Sequence, residues 1–207
     1  LAPCARSLRS LRRKPGRKPG RALILILGEG DTERAYFRAL CANLRLPNIE
    51  VQFSCRQGSA PINIVDCAVQ KAKEPGGYES IWCVFDRDEH ESFARARAKL
   101  QQHARRMPLH EALSIPCFEL WLLLHFEFTD ALFPNCNALI QRLRQHLPQY
   151  IKANAAQARA LLAKLEDALL NAQRLESRYA HIGDNPSTSV HRLVRHLQDI
   201  AAKDSRA

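Results

Sequence analysis

The 207-residue sequence is first informative in what it is short of. Its seven cysteines, at positions 4, 41, 55, 67, 83, 117 and 136, are odd in number and form no Cys-x-x-Cys pair. This argues against a disulfide framework and a cysteine-based zinc site, and suits a reducing cytosol. No apolar run is long enough for a membrane. The longest, residues 113–128, is broken by Pro116, Glu119, His125 and Glu127, whereas a spanning helix needs about 20 apolar residues. The eight histidines show no His-Glu-x-x-His or related zinc spacing. Eight glycines and eleven prolines are too few for a fibrous or low-complexity chain. Acidic residues are missing altogether from positions 1–21, which hold eight Arg or Lys.

What remains is a globular composition, 46% hydrophobic and 25% charged. The formal net charge of +10 is unevenly spread: the 186 residues after the acid-free stretch hold 23 basic and 21 acidic side chains. The excess charge therefore belongs to the beginning of the chain, where Arg-Lys-Pro-Gly occurs at 13–16 and again at 17–20. Pro and Gly at that density prevent a helix, so residues 1–21 read as a disordered basic arm. Arg12, Arg13, Lys14, Arg17, Lys18 and Arg21 suit phosphate backbones, bound through counterion release with little sequence preference. A solubility tail or an acidic membrane surface are the alternatives; the lack of apolar anchors favours nucleic acid.

Beyond the arm, apolar runs and amphipathic stretches alternate. ALILILG (22–28) reads as a strand buried on both faces, followed by a helix over 32–44 with Tyr36, Phe37, Leu40, Cys41 and Leu44 on one stripe. Strands follow at 49–54, 80–85 and 110–114, and helices at 61–73, 91–105 and 116–126. The pattern predicts a four-stranded parallel α/β sheet flanked by helices. After residue 128 it changes to helices at 137–146, 155–178 and 187–202. We thus expect an α/β domain over 22–128 and a helical C-terminal extension over 129–207 that shares its core.

In open α/β sheets, function collects at the carboxyl ends of strands. Two such ends are acidic here: Gly28-Glu29-Gly30-Asp31-Thr32-Glu33 and Asp86-Arg87-Asp88-Glu89-His90. The first is not a dinucleotide fingerprint, because Glu33 stands where a third glycine is needed, nor a P-loop. Asp31 or Thr32 suits a helix cap and Glu33 the first turn, which leaves Glu29 unexplained. Asp86 and Asp88, two apart at a strand end, can point to one side. If the first and third strands are neighbours, Glu29, Glu33, Asp86 and Asp88 converge. Two carboxylates about 4 Å apart repel by about 4 kcal/mol at an effective dielectric near 20, which calls for a cation. Oxygen ligands select Mg²⁺ or Mn²⁺ over zinc. Ordinary surface acids on solvated turns are the alternative.

These residues carry a resemblance. Glu29-Gly30-x-x-Glu33 after an apolar strand, with Asp86-x-Asp88 on a later one, resembles the Toprim domain of topoisomerases, primases and OLD-family nucleases. More narrowly, the chain resembles the RloB family in its basic arm, ILGEGDTERAYF (26–37), WCVFDRDEH (82–90), PCFELWLLLHFE (116–127), Tyr150-x-Lys152 and Asn185-Pro186-Ser187-Thr188. It departs at Ile115, where the family pattern has Asn before Pro. The resemblance implies a Toprim-like sheet and a Mg²⁺- or Mn²⁺-dependent nuclease with two ions. Glu29 would bind metal or move protons, and Glu33, Asp86 and Asp88 would hold metal. The resemblance further implies a bacterial, cytoplasmic defence module acting with an RloA-type ATPase. It leaves open DNA against RNA or tRNA as substrate, and assembly into a homo-oligomer.

Four further residues are candidates. Glu119 lies in an almost wholly apolar run, where an unpaired carboxylate costs several kcal/mol; it either reaches the acidic cluster or pairs with a cation such as Lys152. Lys152 would stabilise charge on a phosphate. His90 and Asn185 are possible substrate contacts, with a helix cap the simpler role for Asn185 or Ser187. Two other functions compete: a non-catalytic nucleic-acid-binding subunit that regulates the ATPase, and a phosphohydrolase of the haloacid-dehalogenase type. The latter wants its aspartate pair on the first strand, whereas here it follows the third.

Overall fold

A computed structural model describes residues 23–53, 58, 60–87, 92–178 and 184–205. The basic arm, Asp88 and His90 lie outside the described residues. Strands β1 (Ile24–Gly28), β2 (Ile49–Phe53), β3 (Ser80–Asp86) and β4 (Leu109–Ile115) alternate with helices α1 (Asp31–Asn43), α2 (Pro61–Ala72) and α3 (Phe93–Ala104). The sheet order is β2-β1-β3-β4-β5, and the first four strands run parallel. The fold is therefore the expected α/β class, a mostly parallel sheet between helices.

Alternation along the strands sends side chains to two separate cores. Ile24, Ile26, Trp82, Val84 and Ala112 face one side, where they meet Tyr36, Phe37 and Leu40 of α1. Leu25, Leu27, Ile81, Cys83, Phe85 and Leu113 face the other, against Ile64, Val65 and Ala68 of α2 and Ala96 and Leu100 of α3. The C-terminal helices α5 (Cys136–Leu143), α6 (Ala155–Leu161), α7 (Leu165–Arg178) and α8 (Val190–Asp204) belong to the first side. Leu139, Leu161, Leu169 and Leu193 join the same apolar cluster as Ile26, so the C-terminal extension and the sheet share a core.

The structure corrects the sequence reading at five places. The helix expected over 116–126 is a single short one, α4 (Glu119–Leu123), preceded by a turn over residues 116–118. The expected 155–178 helix is broken by a 3-10 turn at Leu162–Lys164. A fifth strand, β5 (Ser187–Thr188), pairs antiparallel with β4 where a helix start was expected. Ser187 and Asn185 cap nothing there, since α8 begins at Val190 after Ser189. Neither Asp31 nor Thr32 caps α1: Gly30 holds the cap position, and Asp31 and Glu33 lie in the first turn. Finally, Cys117 and Cys136 form a disulfide, and Cys67 is disulfide-bonded too. Folding brings the Cys117 and Cys136 Cα atoms to 5.7 Å across 19 residues of sequence, a proximity that spacing alone does not reveal.

Candidate active site

β1 and β3 are hydrogen-bonded neighbours in parallel register, Gly28 opposite Val84. The condition for gathering the two acidic strand ends is met. Glu29, Glu33, Asp86, Glu119 and Lys152 line one cleft of about 370 Å³ at this edge of the sheet.

Glu33 is the third residue of α1, and its carboxylate folds back over the start of the helix. A methyl group on Gly30 would sit 2.7 Å from Glu33 Oε2, so the glycine makes room for it. Glu33 is buried, and that burial pushes its carboxyl up to about 8. Its own backbone N–H opposes the shift, the charges of Asp86 and Glu119 add to it, and Lys152 counters it. Four of the predicted residues thus act on one another electrostatically.

Asp86 ends β3 beside Ser114 of β4. The backbone N–H of Phe118, which precedes α4, donates to Asp86 Oδ2 at 3.2 Å. The turn at the start of α4 therefore fixes Asp86 and presents the next residue, Glu119. Glu119 is only 3% exposed. Its Oε1 accepts from the Tyr150 hydroxyl at 3.0 Å and lies 3.5 Å from Lys152 Nζ. The buried carboxylate expected either to reach the acidic cluster or to pair with Lys152 does both. The phenol of Tyr150 is raised by burial and by the negative charge of Glu119, so it remains a proton donor.

Lys152 sits in the loop between α5 and α6. Ala153 has a left-handed backbone, φ 61°, and its N–H donates to Thr32 Oγ1 at 3.2 Å. Asn154 caps α6 by accepting from the N–H groups of Ala156 and Gln157. Both ends of the lysine loop are thereby tied down, one of them to α1. The lysine side chain stays 64% exposed and reaches over the cleft wall.

Sequence reasoning singled out Tyr150 only as part of the Tyr150-x-Lys152 motif, without a role of its own, and missed Thr32, Cys117 and Cys136 as parts of this site. Thr32 acts through position alone, and a single threonine carries no signal of it. Asn185 is not brought to the cleft. Its side-chain N–H donates to the Phe133 carbonyl at 2.6 Å, and its Oδ1 accepts from the Phe133 N–H at 3.4 Å. It clamps two loops together. His125, expected to be a hydrogen-bonded core histidine, is one: its Nδ1–H donates to the Trp121 carbonyl at 2.9 Å, and its Nε2 accepts from the Tyr36 hydroxyl at 3.1 Å.

Residues 24–197 match the family model described as RloB-like protein. The chain belongs to the RloB-like protein family. Among curated proteins and among solved structures nothing matches it. The matched stretch of this RloB-like chain contains every residue that lines the cleft.

A second groove of about 370 Å³ adjoins the cleft and shares Asp31 and Ala153 with it. Arg34, Arg38 and Arg159 line this groove. Arg34 is ion-paired with Asp31, while Arg38 on α1 and Arg159 on α6 are exposed. An acidic cleft thus opens directly onto a basic track.

Proposed function

We propose that this RloB-like protein hydrolyses phosphodiester bonds of nucleic acid in a reaction that depends on Mg²⁺ or Mn²⁺. The observation that carries this reading is the convergence of Glu29, Glu33, Asp86 and Glu119 with Lys152 in one cleft. The donor set fits the metal: the carboxylates of Glu29, Glu33 and Asp86 are hard oxygen ligands, the kind that select Mg²⁺ or Mn²⁺. A carboxyl held as high as about 8 is one that a bound cation would return to its ionised form. Glu29, Glu33 and Asp86 would hold the ions, with Asp88 beside Asp86 in sequence. When bound, such ions lower the pKa of water and stabilise the leaving oxygen of a phosphodiester.

The remaining roles fall to the chain's own groups. The Lys152 ammonium stabilises negative charge building on the phosphate. Glu119, itself held by Tyr150, keeps that ammonium directed at the cleft. Arg38 and Arg159 lie where a polynucleotide leaving the cleft would run, and supply the charge that its phosphates need. The family resemblance further supports an RloA-type ATPase partner and a role in bacterial defence.

The test is cleavage of duplex DNA, single-stranded DNA and tRNA by the full chain with Mg²⁺ or Mn²⁺, with and without the ATPase. Calorimetric titration of Mn²⁺ accompanies it. Cleavage and metal binding that both vanish in Asp86→Ala support the reading. Metal-independent cleavage, or cleavage unchanged by Asp86→Ala, overturns it. Hydrolysis of p-nitrophenyl phosphate in place of polynucleotides would move the protein to the phosphohydrolase class.

A further inference from the structure

The cleft wall carries a second donor set of different chemical character. Cys117 lies in the turn between β4 and α4, and Cys136 is the first residue of α5. Both line the cleft, and Cys136 Sγ lies 3.4 Å from Glu119 Oε2. A disulfide sulfur has no proton to donate, so in the oxidised protein this is a contact and not a hydrogen bond. The Cys117 and Cys136 sulfurs and a Glu119 oxygen all lie within 4.8 Å of one another. Cys117 and Glu119 are buried, and Cys136 is partly so.

We infer that reduction of the Cys117–Cys136 disulfide opens a binding site for one thiophilic divalent cation, Zn²⁺ by its chemistry, with Cys117, Cys136 and Glu119 as ligands. Tetrahedral coordination with Zn–S about 2.3 Å and Zn–O about 2.1 Å puts a sulfur and an oxygen ligand about 3.6 Å apart, close to the 3.4 Å already present between Cys136 Sγ and Glu119 Oε2. Two sulfurs and one carboxylate leave the fourth tetrahedral position facing the cleft, the arrangement of an open zinc site. The soft sulfur pair also separates this site from the oxygen-only set of Glu29, Glu33 and Asp86. The reaction balances with an external dithiol. That dithiol gives up two electrons and becomes a disulfide, Cys117 and Cys136 become thiols, and the arriving cation releases their two protons to solvent. Occupancy would draw Glu119 away from Lys152, so redox state and zinc would both act on the lysine. The site does not depend on the phosphodiester reading, because metal spectroscopy alone reports it.

The test uses the full chain, reduced with a phosphine that is then removed, and titrated with Co²⁺ under anaerobic conditions. The expected result is one Co²⁺ per chain with near-ultraviolet thiolate-to-cobalt charge transfer and the intense visible bands of a tetrahedral site. Zn²⁺ should displace it. The disulfide form of the same protein should show neither signal, a comparison that needs no further variant to fold. Cys117→Ser/Cys136→Ser should lose the charge-transfer band, while Glu119→Gln should keep the band with weaker affinity. Cys67 is disulfide-bonded as well and is reduced in the same step, so the titrations are run in a Cys67→Ser background; Cys41 and Cys83, the free cysteines among the described residues, are buried in the two separate cores and should not substitute. No charge-transfer band in the reduced Cys67→Ser chain, or a band that survives when Cys117→Ser/Cys136→Ser is added, would overturn the inference.

Discussion

Glu33 is a side chain whose burial ties the stability of the fold to pH. Its carboxyl is raised from 4.5 to about 8, so the folded protein holds a proton that the unfolded chain releases between those values. Stability is therefore lost as pH rises through that window. At pH 7 the difference is about 3 kcal/mol. Glu33→Gln should unfold at a higher temperature than wild type at pH 8 without divalent cations, and the gap should close toward pH 5. Thermal melts at the two pH values check this. Mn²⁺ should stabilise wild type at pH 8 and leave the glutamine variant unchanged if Glu33 is a ligand. Lys152 is the counterpart. It is largely exposed, but it faces the buried Glu119 carboxylate, so its removal should also lower the unfolding temperature. Lys152→Ala should lower kcat by about 10²–10³ with a small change in KM, the signature of lost charge stabilisation. Steady-state cleavage kinetics separate the two quantities.

At the scale of elements, the parallel strands were the legible part. ALILILG and SIWCVF read as strands buried on both faces, and they are two adjacent interior strands whose ends carry Glu29 and Asp86. The acids at these ends were legible for the same reason, since a strand end has a fixed direction. The convergence of Glu119 was legible as chemistry, because a carboxylate in FELWLLL demanded a partner. Its partners were less so. Tyr150 and Thr32 act through a loop held by a left-handed alanine, which has no sequence signature. β5 escaped notice because two polar residues make no periodic pattern; they are recruited by tertiary bonds, Ser114 Oγ to Thr188 Oγ1 at 3.1 Å and Leu113 N–H to Ser189 Oγ at 2.8 Å. The basic groove also belongs to this scale, because α1 and α6 are 112 or more residues apart and meet only in the fold. Arg38→Glu combined with Arg159→Glu should weaken nucleic-acid binding across all sequences and reduce its salt dependence, while leaving Mn²⁺ binding intact. Fluorescence anisotropy over a salt series measures both effects.

At the scale of the molecule, charge is unevenly spread along the chain. The eight positive charges of residues 1–21 precede 186 residues that are almost neutral. Removing residues 1–21 should flatten the slope of log affinity against log salt by several units, without changing the unfolding temperature. Acid stability should have a separate origin. Burial pushes the His125 imidazole down from 6.5 to about 4, against its hydrogen bond to the Trp121 carbonyl. The unfolded chain then takes up a proton that the folded protein refuses, so stability falls as pH drops from 6.5 toward 4, by about 3 kcal/mol in all. Denaturant melts at pH 7 and pH 4.5 should show this, and His125→Gln should flatten the difference. No helix among the described residues is long and apolar enough to cross a membrane.

The placement of β5 has a consequence in time as well as in space. Every residue that lines the cleft precedes Ser187 in the sequence, yet Ser187 and Thr188 are what cover the outer edge of β4. A ribosome that halts before Ser187 therefore holds a chain with its acids already made and one sheet edge still bare. Bare edges recruit other strands. Such a nascent chain offers that edge to chaperones until Ser187 and Thr188 emerge and pair with β4.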